Sequence, residues 1–256
     1  MPIAQKQTLV VDRVIHENSA VTSLILSGNL SDGMRARRAG QFMTVRLPQG
    51  DAWSRPHPYT ISNAPDDPWI QLTAKALGSF STRIQSTTVG TPILVAGPYG
   101  RFCRETEEQA SHVMIAGGIG ITPFLSVLRH LGRQAIRRQT TLFWASNLPE
   151  DFFCVDELTQ LCDRIGLKMI LVSLHPWSGQ GQPSDTEGLL RQEGYLTRQL
   201  LQEHSDPAGS RVYLCGSDNM QAFVLGELAA CGMPADAVST ESFGTFNFDQ
   251  KDQGAL

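Results

Sequence analysis

Hydrophobic and polar positions follow two different rhythms in the two halves of this 256-residue chain. Through the first hundred residues, short apolar runs are broken by glycine and proline turns. Thr8–Val11, Val21–Leu26, Phe42–Leu47, Tyr59–Ser62, Ile70–Ala74 and Ile93–Ala96 each have the length and composition of a strand. Phe42–Leu47 alternates and leads into the turn sequence Pro48-Gln49-Gly50-Asp51. Ser79–Gln85 predicts one short helix, and Ile93–Ala96 ends at Gly97-Pro98-Tyr99-Gly100. Many short strands between such turns predict a small antiparallel β-barrel over 1–104.

After a polar linker, Arg104–Ser111, the rhythm changes. Val113–Ala116, Thr140–Trp144, Lys168–Leu174 and Arg211–Cys215 are strand-like, and helical segments are expected over about 123–131, 156–165, 196–202 and 219–231. Strands alternating with helices predict an α/β domain with a parallel sheet, here over 112–248, followed by a frayed polar tail at 249–256. The fold class is therefore two-domain.

Composition narrows the functions. Apolar residues at 41% and charged residues at 18% are ordinary for a globular chain long enough for two cores. A net charge of -4 argues against a nucleic-acid partner. The N-terminus lacks the order of a secretory signal. The most apolar stretch, Val113–Leu128, is broken by three glycines and a proline, so no membrane insertion and a cytoplasmic location are expected. The five cysteines show no C-x-x-C spacing and no two histidines make a helix-face pair, so no metal or iron–sulfur site is expected. Two arginine clusters, Arg35/Arg37/Arg38 and Arg133/Arg137/Arg138, are either solvated surface or a docking patch for an acidic protein.

Two stretches carry candidate chemistry. In Gly117-Gly118-Ile119-Gly120-Ile121-Thr122-Pro123 a strand runs through glycines into a helix, with Thr122 suited to the N-cap and Pro123 to the first helical position. A helix start reached through glycines suits phosphate. Alone, it is also the build of a tight turn with no ligand, and Pro123 stands where the dinucleotide fingerprint has Gly or Ala. The second stretch is Arg55-Pro56-His57-Pro58-Tyr59-Thr60. Tyr59 can stack on a flat ring, the Thr60 hydroxyl can bond a ring heteroatom, and Arg55 and His57 can meet phosphate. A proline-rich loop with an exposed His and a core Tyr fits the same residues.

Taken in order, these motifs resemble the ferredoxin–NADP reductase superfamily, in which a flavin-binding barrel precedes a nicotinamide-nucleotide domain. The flavin motif of that family, Arg-x-Tyr-Ser/Thr, is matched by His57-Pro58-Tyr59-Thr60, a His-Pro-aromatic-Thr variant similar to the ferric reductase and NADPH oxidase branch. The resemblance implies that Tyr59 and Thr60 face the flavin ring and that His57 replaces the arginine near the pyrophosphate. It implies that Gly78, Ser81 and Thr82 hold flavin phosphates, with Lys75 lining ring or phosphate. Gly117, Gly118, Gly120, Thr122 and Pro123 match the family's nucleotide loop. Cys215, Gly216 and Met220 match its Cys-Gly-x-x-x-Met segment, and Glu241-Ser242-Phe243-Gly244 matches its Glu-x-Phe terminus. Thr60, Cys215 and Glu241 are thereby the candidate catalytic residues.

The resemblance covers about 41–244 and implies an NAD(P)H-dependent reductase with bound FAD rather than FMN. Electrons would leave to a carrier protein, an oxygenase component or another one-electron acceptor; the alternatives are a subunit of a larger complex or a small-acceptor ferric-chelate or flavin reductase. NADH is expected over NADPH, because Ala145–Asp151 holds no Arg or Lys while Glu150 and Asp151 would repel a 2′-phosphate or accept a ribose hydroxyl. NADPH is expected only if a distant arginine such as Arg191 reaches the site.

Overall fold

The structure, a computed structural model, describes residues 6–177 and 187–243. Gly244, the expected domain end at 244–248 and the tail at 249–256 lie outside the described residues. The first half comprises β1 (Lys6–His16), β2 (Val21–Ser27), α1 (Asp32–Arg35), β3 (Phe42–Arg46), the hairpin β4 (Pro48–Gln49) and β5 (Ala52–Trp53), β6 (His57–Thr60), β7 (Ile70–Lys75), α2 (Ser79–Gln85) and β8 (Pro92–Tyr99).

Six of these strands pair antiparallel in the order β6-β3-β8-β1-β2-β7. The sheet curls until its outer strands meet. Ile61, just past β6, bridges Leu72 of β7, and the Ser62 N–H donates to the Gln71 carbonyl at 2.9 Å. Alternation fills the interior: Met43 and Val45 of β3 point inward beside Leu9, Leu24, Leu72 and Ile84.

Two boundaries differ from the sequence pattern. β1 continues past Val11, because ladder pairing with β2 resumes after a register shift between Val11 and Arg13 and needs no apolar side chain. β8 does not end at Gly97 but runs to Tyr99, which pairs with Phe42. Pro98 is tolerated there because β3 shifts register opposite it, between Phe42 and Thr44. Within the linker Arg104–Ser111, Thr106 is buried and its hydroxyl donates to the carbonyl of buried Cys103 at 3.0 Å. Arg37 is also buried, donating to the carbonyls of Met34, Ala64, Asp67 and Trp69, so it is unavailable to a partner.

The second half comprises β9 (Ser111–Gly117), a 3-10 turn over Gly118–Ile121, α3 (Thr122–Arg133), β10 (Gln139–Ser146), α4 (Val155–Ile165), β11 (Leu167–Ser173), β12 (Leu189–Glu193), α5 (Arg198–His204), β13 (Arg211–Gly216), α6 (Asp218–Ala230) and β14 (Val238–Ser242). All six strands are parallel, in the order β12-β11-β10-β9-β13-β14. Phe124 and Leu128 of α3 and Leu161 of α4 cover one face with Met114 and Trp144; Leu201 of α5 and Val224 and Leu228 of α6 cover the other with Ile115 and Leu214.

The chain runs outward from β9 to β12, then returns to β13 on the other flank of β9. That reversal opens a crevice at the carboxyl ends of β9 and β13. The outer strands β12 and β14 escape the hydrophobic pattern because both are short, half-exposed edges. α5 starts at Arg198 rather than Leu196 because Thr197 caps it, its hydroxyl accepting the Leu200 N–H at 3.3 Å. Leu196 and Leu201 share one core across that start, a hydrophobic staple. Among the described residues no helix is long and apolar enough to cross a membrane.

Candidate functional site

The crevice is built by glycines, each for its own reason. Gly118 sits at φ +51, and nothing lies within 4 Å of where a Cβ would stand, so it needs glycine for its backbone and faces open space. Its carbonyl accepts the Trp144 Nε1–H at 2.9 Å, which anchors the turn. Gly117 and Gly216 flank the Met220 thioether, and a Cβ on either would strike Sδ. Gly120 is buried against β13, where a Cβ would run into the Cys215 carbonyl group and lie 3.1 Å from the Gly216 nitrogen. A side chain at Gly120 would therefore meet backbone before any ligand.

The expected place of Thr122 is corrected. It is the first residue of α3 and not its cap, because the 3-10 turn runs directly into the helix and Ile121 holds the cap position. The Thr122 hydroxyl donates to the Ile119 carbonyl at 3.1 Å, and both Thr122 and Pro123 are buried.

Around this turn lies a cleft of about 680 Å³. Its floor is the carboxyl ends of the parallel strands: Gly117–Gly120, Ala145–Asn147, Leu174, Gly194–Leu196, Gly216–Met220 and Ser242–Phe243. Lys75 and Leu77 from the antiparallel sheet form part of its wall. Exposed Tyr195 and Phe223 stand at its rim with ring centroids 5.9 Å apart.

Lys75 Nζ lies 3.4 Å from Asp151 Oδ1. Burial alone would raise the Asp151 carboxyl, but the Ser146 hydroxyl, the Leu148 N–H and Lys75 carry it below the usual range. Asp151 thus contacts Ser146, Leu148 and Lys75 within the fold. Arg191 lies over the Trp177 ring at 5.5 Å. Of the second arginine cluster, Arg133 pairs with Asp67, and Arg137 and Arg138 line a separate depression at the amino ends of the strands.

The antiparallel sheet presents a second set of groups. Thr60 is buried, and its Oγ1 has no hydrogen-bond partner. Leaving such a group unpaired costs about 1–3 kcal/mol, so the position fits a ligand that bonds it. Burial raises the Tyr59 phenol, whose ring stacks on Phe80 at 6.0 Å. The His57 ring also stacks on Phe80, at 3.8 Å, and burial lowers its pKa. A neutral, stacked imidazole is a weak substitute for arginine at a phosphate. Arg55 is exposed two residues earlier, and Pro58 is half-buried between His57 and Tyr59.

At the start of α2 the Ser81 hydroxyl accepts the Leu77 and Gly78 N–H groups at 2.9 and 3.0 Å and donates to the Gly78 carbonyl. That hydroxyl closes the turn; Gly78 and Thr82 are exposed there, as are Leu77, Ser79 and Arg83.

Glu241 and Cys215 are register partners on β14 and β13. Burial pushes the Glu241 carboxyl up to about 7, and its Oε2 is buried without a partner. Cys215 is fully buried; burial, then the Glu241 charge, raises its thiol well above the ordinary value. Cys215 is therefore behind the cleft wall, which Gly216 forms. The cleft gathers Lys75, Gly117, Gly118, Gly120, Gly216, Met220 and Phe243. Among the described residues no group of three or more His, Cys, Asp or Glu is arranged to hold a metal.

Leu77, Leu174, Tyr195 and Phe223 were not marked by the motifs. Phe223 had a usable signal: apolar residues run all round α6, more than one buried face requires. Tyr195 had none, since it follows β12, a strand the pattern does not reveal.

Comparison with known proteins places this geometry. A family model described as "Oxidoreductase NAD-binding domain" matches residues 114–225. The chain is 30% identical over 222 residues to ferredoxin–NADP reductase B of Sorangium cellulosum, covering 80% of this chain and 84% of that one. It is 28% identical over 214 residues to the reductase component of propane 2-monooxygenase from Mycolicibacterium goodii, covering 83% of this chain and 61% of the other. The chain spans 57% to 61% of the length of three such propane 2-monooxygenase components. A solved ferredoxin NADP+ reductase from Neisseria gonorrhoeae, with bound FAD and NADP, matches with a TM-score of 0.75 at 20% identity, over 94% of this chain and 99% of that one. That likeness carries the fold: a curled antiparallel sheet followed by a parallel-sheet domain.

Proposed function

The chain belongs to the ferredoxin–NADP reductase-like family, and from that premise we propose that it is a flavin-dependent reductase. It takes hydride from NADH and hands electrons to a carrier protein or oxygenase component. Residues 1–104 are the flavin domain in this reading, and 112–248 the nucleotide domain. The observation that carries it is the unpartnered, buried Thr60 hydroxyl at the end of β6, together with a glycine-built crevice that Lys75 and Leu77 of the same sheet help to wall.

When bound, the flavin and nicotinamide supply the hydride and single-electron chemistry. The chain's residues supply position. Backbone groups around Gly118 meet the nucleotide pyrophosphate. Ser146 and Asn147 face its ribose, and Tyr195 and Phe223 flank its base. Tyr59 and Thr60 meet the flavin ring, and first-turn amides of α2 with Thr82 meet its phosphates. Glu241, raised to about 7 by burial, could take up or release a proton near neutral pH. Phe243, exposed at the cleft, would offer its ring to a bound cofactor.

NADH is favoured because Lys75 is the sole Lys or Arg among the described residues lining the cleft, and Asp151 holds it. The reductase components among the relatives support a protein acceptor over a small one. Five free thiols suit a reducing compartment, which supports a cytoplasmic location. The test is anaerobic reduction of the FAD-reconstituted chain: NADH should bleach the flavin. Failure to bind FAD, or bound FAD that NADH leaves oxidised, overturns the reading. A higher kcat/KM for NADPH than for NADH overturns the nucleotide assignment alone.

A further inference from the structure

Arg129 lies on α3, outside the cleft, yet its side chain is only 13% exposed and joins three elements. Nε and Nη2 donate to the two carboxylate oxygens of Glu157 on α4, both at 2.7 Å. Nη1 donates to the Ser62 carbonyl at 2.8 Å. One turn earlier, the Ser126 hydroxyl donates to the Asn63 carbonyl at 2.8 Å. The same face of α3 that follows the glycine turn is thus bonded to the segment that follows Thr60.

The bonds continue as a closed ring through the seam between the two sheets. The Ser62 and Thr73 hydroxyls are 2.9 Å apart, and those of Thr73 and Ser23 2.8 Å apart. Ser23 donates to Glu17 Oε1 at 2.7 Å, the Cys154 thiol donates to Glu17 Oε2 at 3.5 Å, and Arg129 Nη2 returns to Cys154 Sγ at 3.9 Å. Ser23, Ser62 and Thr73 are buried. The Glu157 side chain is 43% exposed and Glu17 and Cys154 are half-buried, so the part of the network that resists sliding is Ser62–Thr73–Ser23, where each bond broken leaves a polar group without water. Ser62 lies two residues past Thr60, Thr73 two before Lys75, and Ser126 four past Thr122. The ring, with the adjoining Ser126–Asn63 bond, therefore lies a few residues from both candidate cofactor sites.

We propose that Arg129 is a positioning residue: it locks the nucleotide crevice at one distance and angle from the flavin strand. The proposal rests on the reductase reading above. Its guanidinium fork satisfies both Glu157 oxygens and the Ser62 carbonyl at once, which neither Lys nor an apolar residue can do. Nucleotide and flavin are each bound by residues Arg129 does not touch. Loosening the seam should therefore slow hydride transfer without weakening either cofactor.

The test uses the full chain with Arg129→Met and, as the milder change, Arg129→Lys. In anaerobic stopped-flow reduction at saturating NADH, Arg129→Met should lower the limiting rate at least about tenfold, the scale expected for misplacing reactants by a fraction of an ångström. Affinities for NAD+ and FAD should stay within about twofold, since their contacts are intact. In the cofactor-free protein, amides of 61–67 and 118–126 should exchange with deuterium together, at least about tenfold faster than in the parent, with β10 and β11 unchanged. If Arg129→Met does not fold, Arg129→Lys decides on the same two measurements. A folded variant with a limiting rate within about twofold of the parent, or with exchange unchanged on both sides of the seam, overturns the proposal. If NADH does not reduce the parent, the reductase reading fails by itself, and the exchange measurement still decides whether Arg129 locks the seam.

Discussion

On the proposed function, the glycine crevice as nucleotide site and β6 as flavin strand would solve the problem of binding a cofactor in opposite ways. The crevice is made of backbone. Gly117, Gly118, Gly120 and Gly216 bring two turns together, and Met220 is the one side chain wedged between them. The flavin strand is made of side chains on a regular ladder: Tyr59 and Thr60 continue β6 with ordinary pairing to Met43 and Phe42. A backbone site is intolerant, because any added atom meets main chain. A side-chain site is tolerant of substitution in the fold while its chemistry changes. The two halves should therefore fail differently when mutated.

The sharpest test of the backbone half is Gly120→Val. Overpacking a core ordinarily costs about 1–3 kcal/mol, and here the obstruction is the Cys215 main chain, which cannot rotate away. We expect a loss above about 3 kcal/mol and a fall in Tm of about 10 °C, or failure to fold, followed by thermal unfolding. A folded variant of parental Tm with only a raised nucleotide KM would show that Gly120 serves the ligand alone.

Legibility followed the same division. The glycine turn after β9 could be read directly, because a strand, three glycines and a helix start leave few other conformations. Which glycine did what could not, since the neighbour of Gly120 is Cys215, ninety-five residues away. The barrel and the parallel sheet followed from alternation and from buried runs. β12 and β14 did not, because an edge strand can be polar and still pair through its backbone. Glu241 carried no pattern of its own, and only resemblance pointed to it; the Thr60 hydroxyl was one of two readings of its stretch. The missing partners on Oγ1 and Oε2 are visible only in three dimensions. The contacts of Asp151 with Ser146, Leu148 and Lys75 arise from folding in the same way and leave no mark in the sequence.

Glu241 tests the seam between backbone and side-chain control, because a β14 side chain is held over the β13 backbone. Its folded pKa is raised from 4.5 to about 7 by burial. The folded state then binds more protons than the unfolded state between those values, so this group's contribution falls as pH rises through the window and is constant above it. The expected loss is about 2 kcal/mol after allowing for partial exposure. His112, buried at the other end of the sheet and lowered to about 4, acts in the opposite direction by losing stability as pH falls below 6.5. Parent-minus-Glu241→Gln stability measured from pH 4 to 8 isolates the carboxyl. A flat difference would mean that Glu241 is ionised at an ordinary pKa.

Gly118→Ala separates the two demands on a single glycine. Its φ of +51 makes alanine cost about 1 kcal/mol, while the empty space beside it means no neighbour need shift. The variant should fold, lose a few degrees of Tm, and weaken NADH several-fold with FAD unchanged. Equal losses for both cofactors would place the turn between the sites instead of at one of them.

The smallest effect is expected where the side-chain half is most distinctive, and its value lies in sign. Thr60→Val exchanges a hydroxyl for a methyl of nearly the same shape. In the cofactor-free protein the Thr60 hydroxyl is buried and unbonded, so removing it relieves a desolvation cost and should stabilise the fold by about 0.5–1 kcal/mol. If Thr60 bonds the flavin ring as proposed, the same change removes that bond and should weaken FAD by about the same free energy, a few-fold in Kd. Stability and affinity then move in opposite directions from one atom. Gly120→Val cannot do this, because a backbone clash harms folding and binding alike. If Thr60→Val lowers the Tm of the cofactor-free chain and leaves FAD affinity untouched, Thr60 is a core residue of the barrel, and the contrast between the two halves fails where it is drawn most finely.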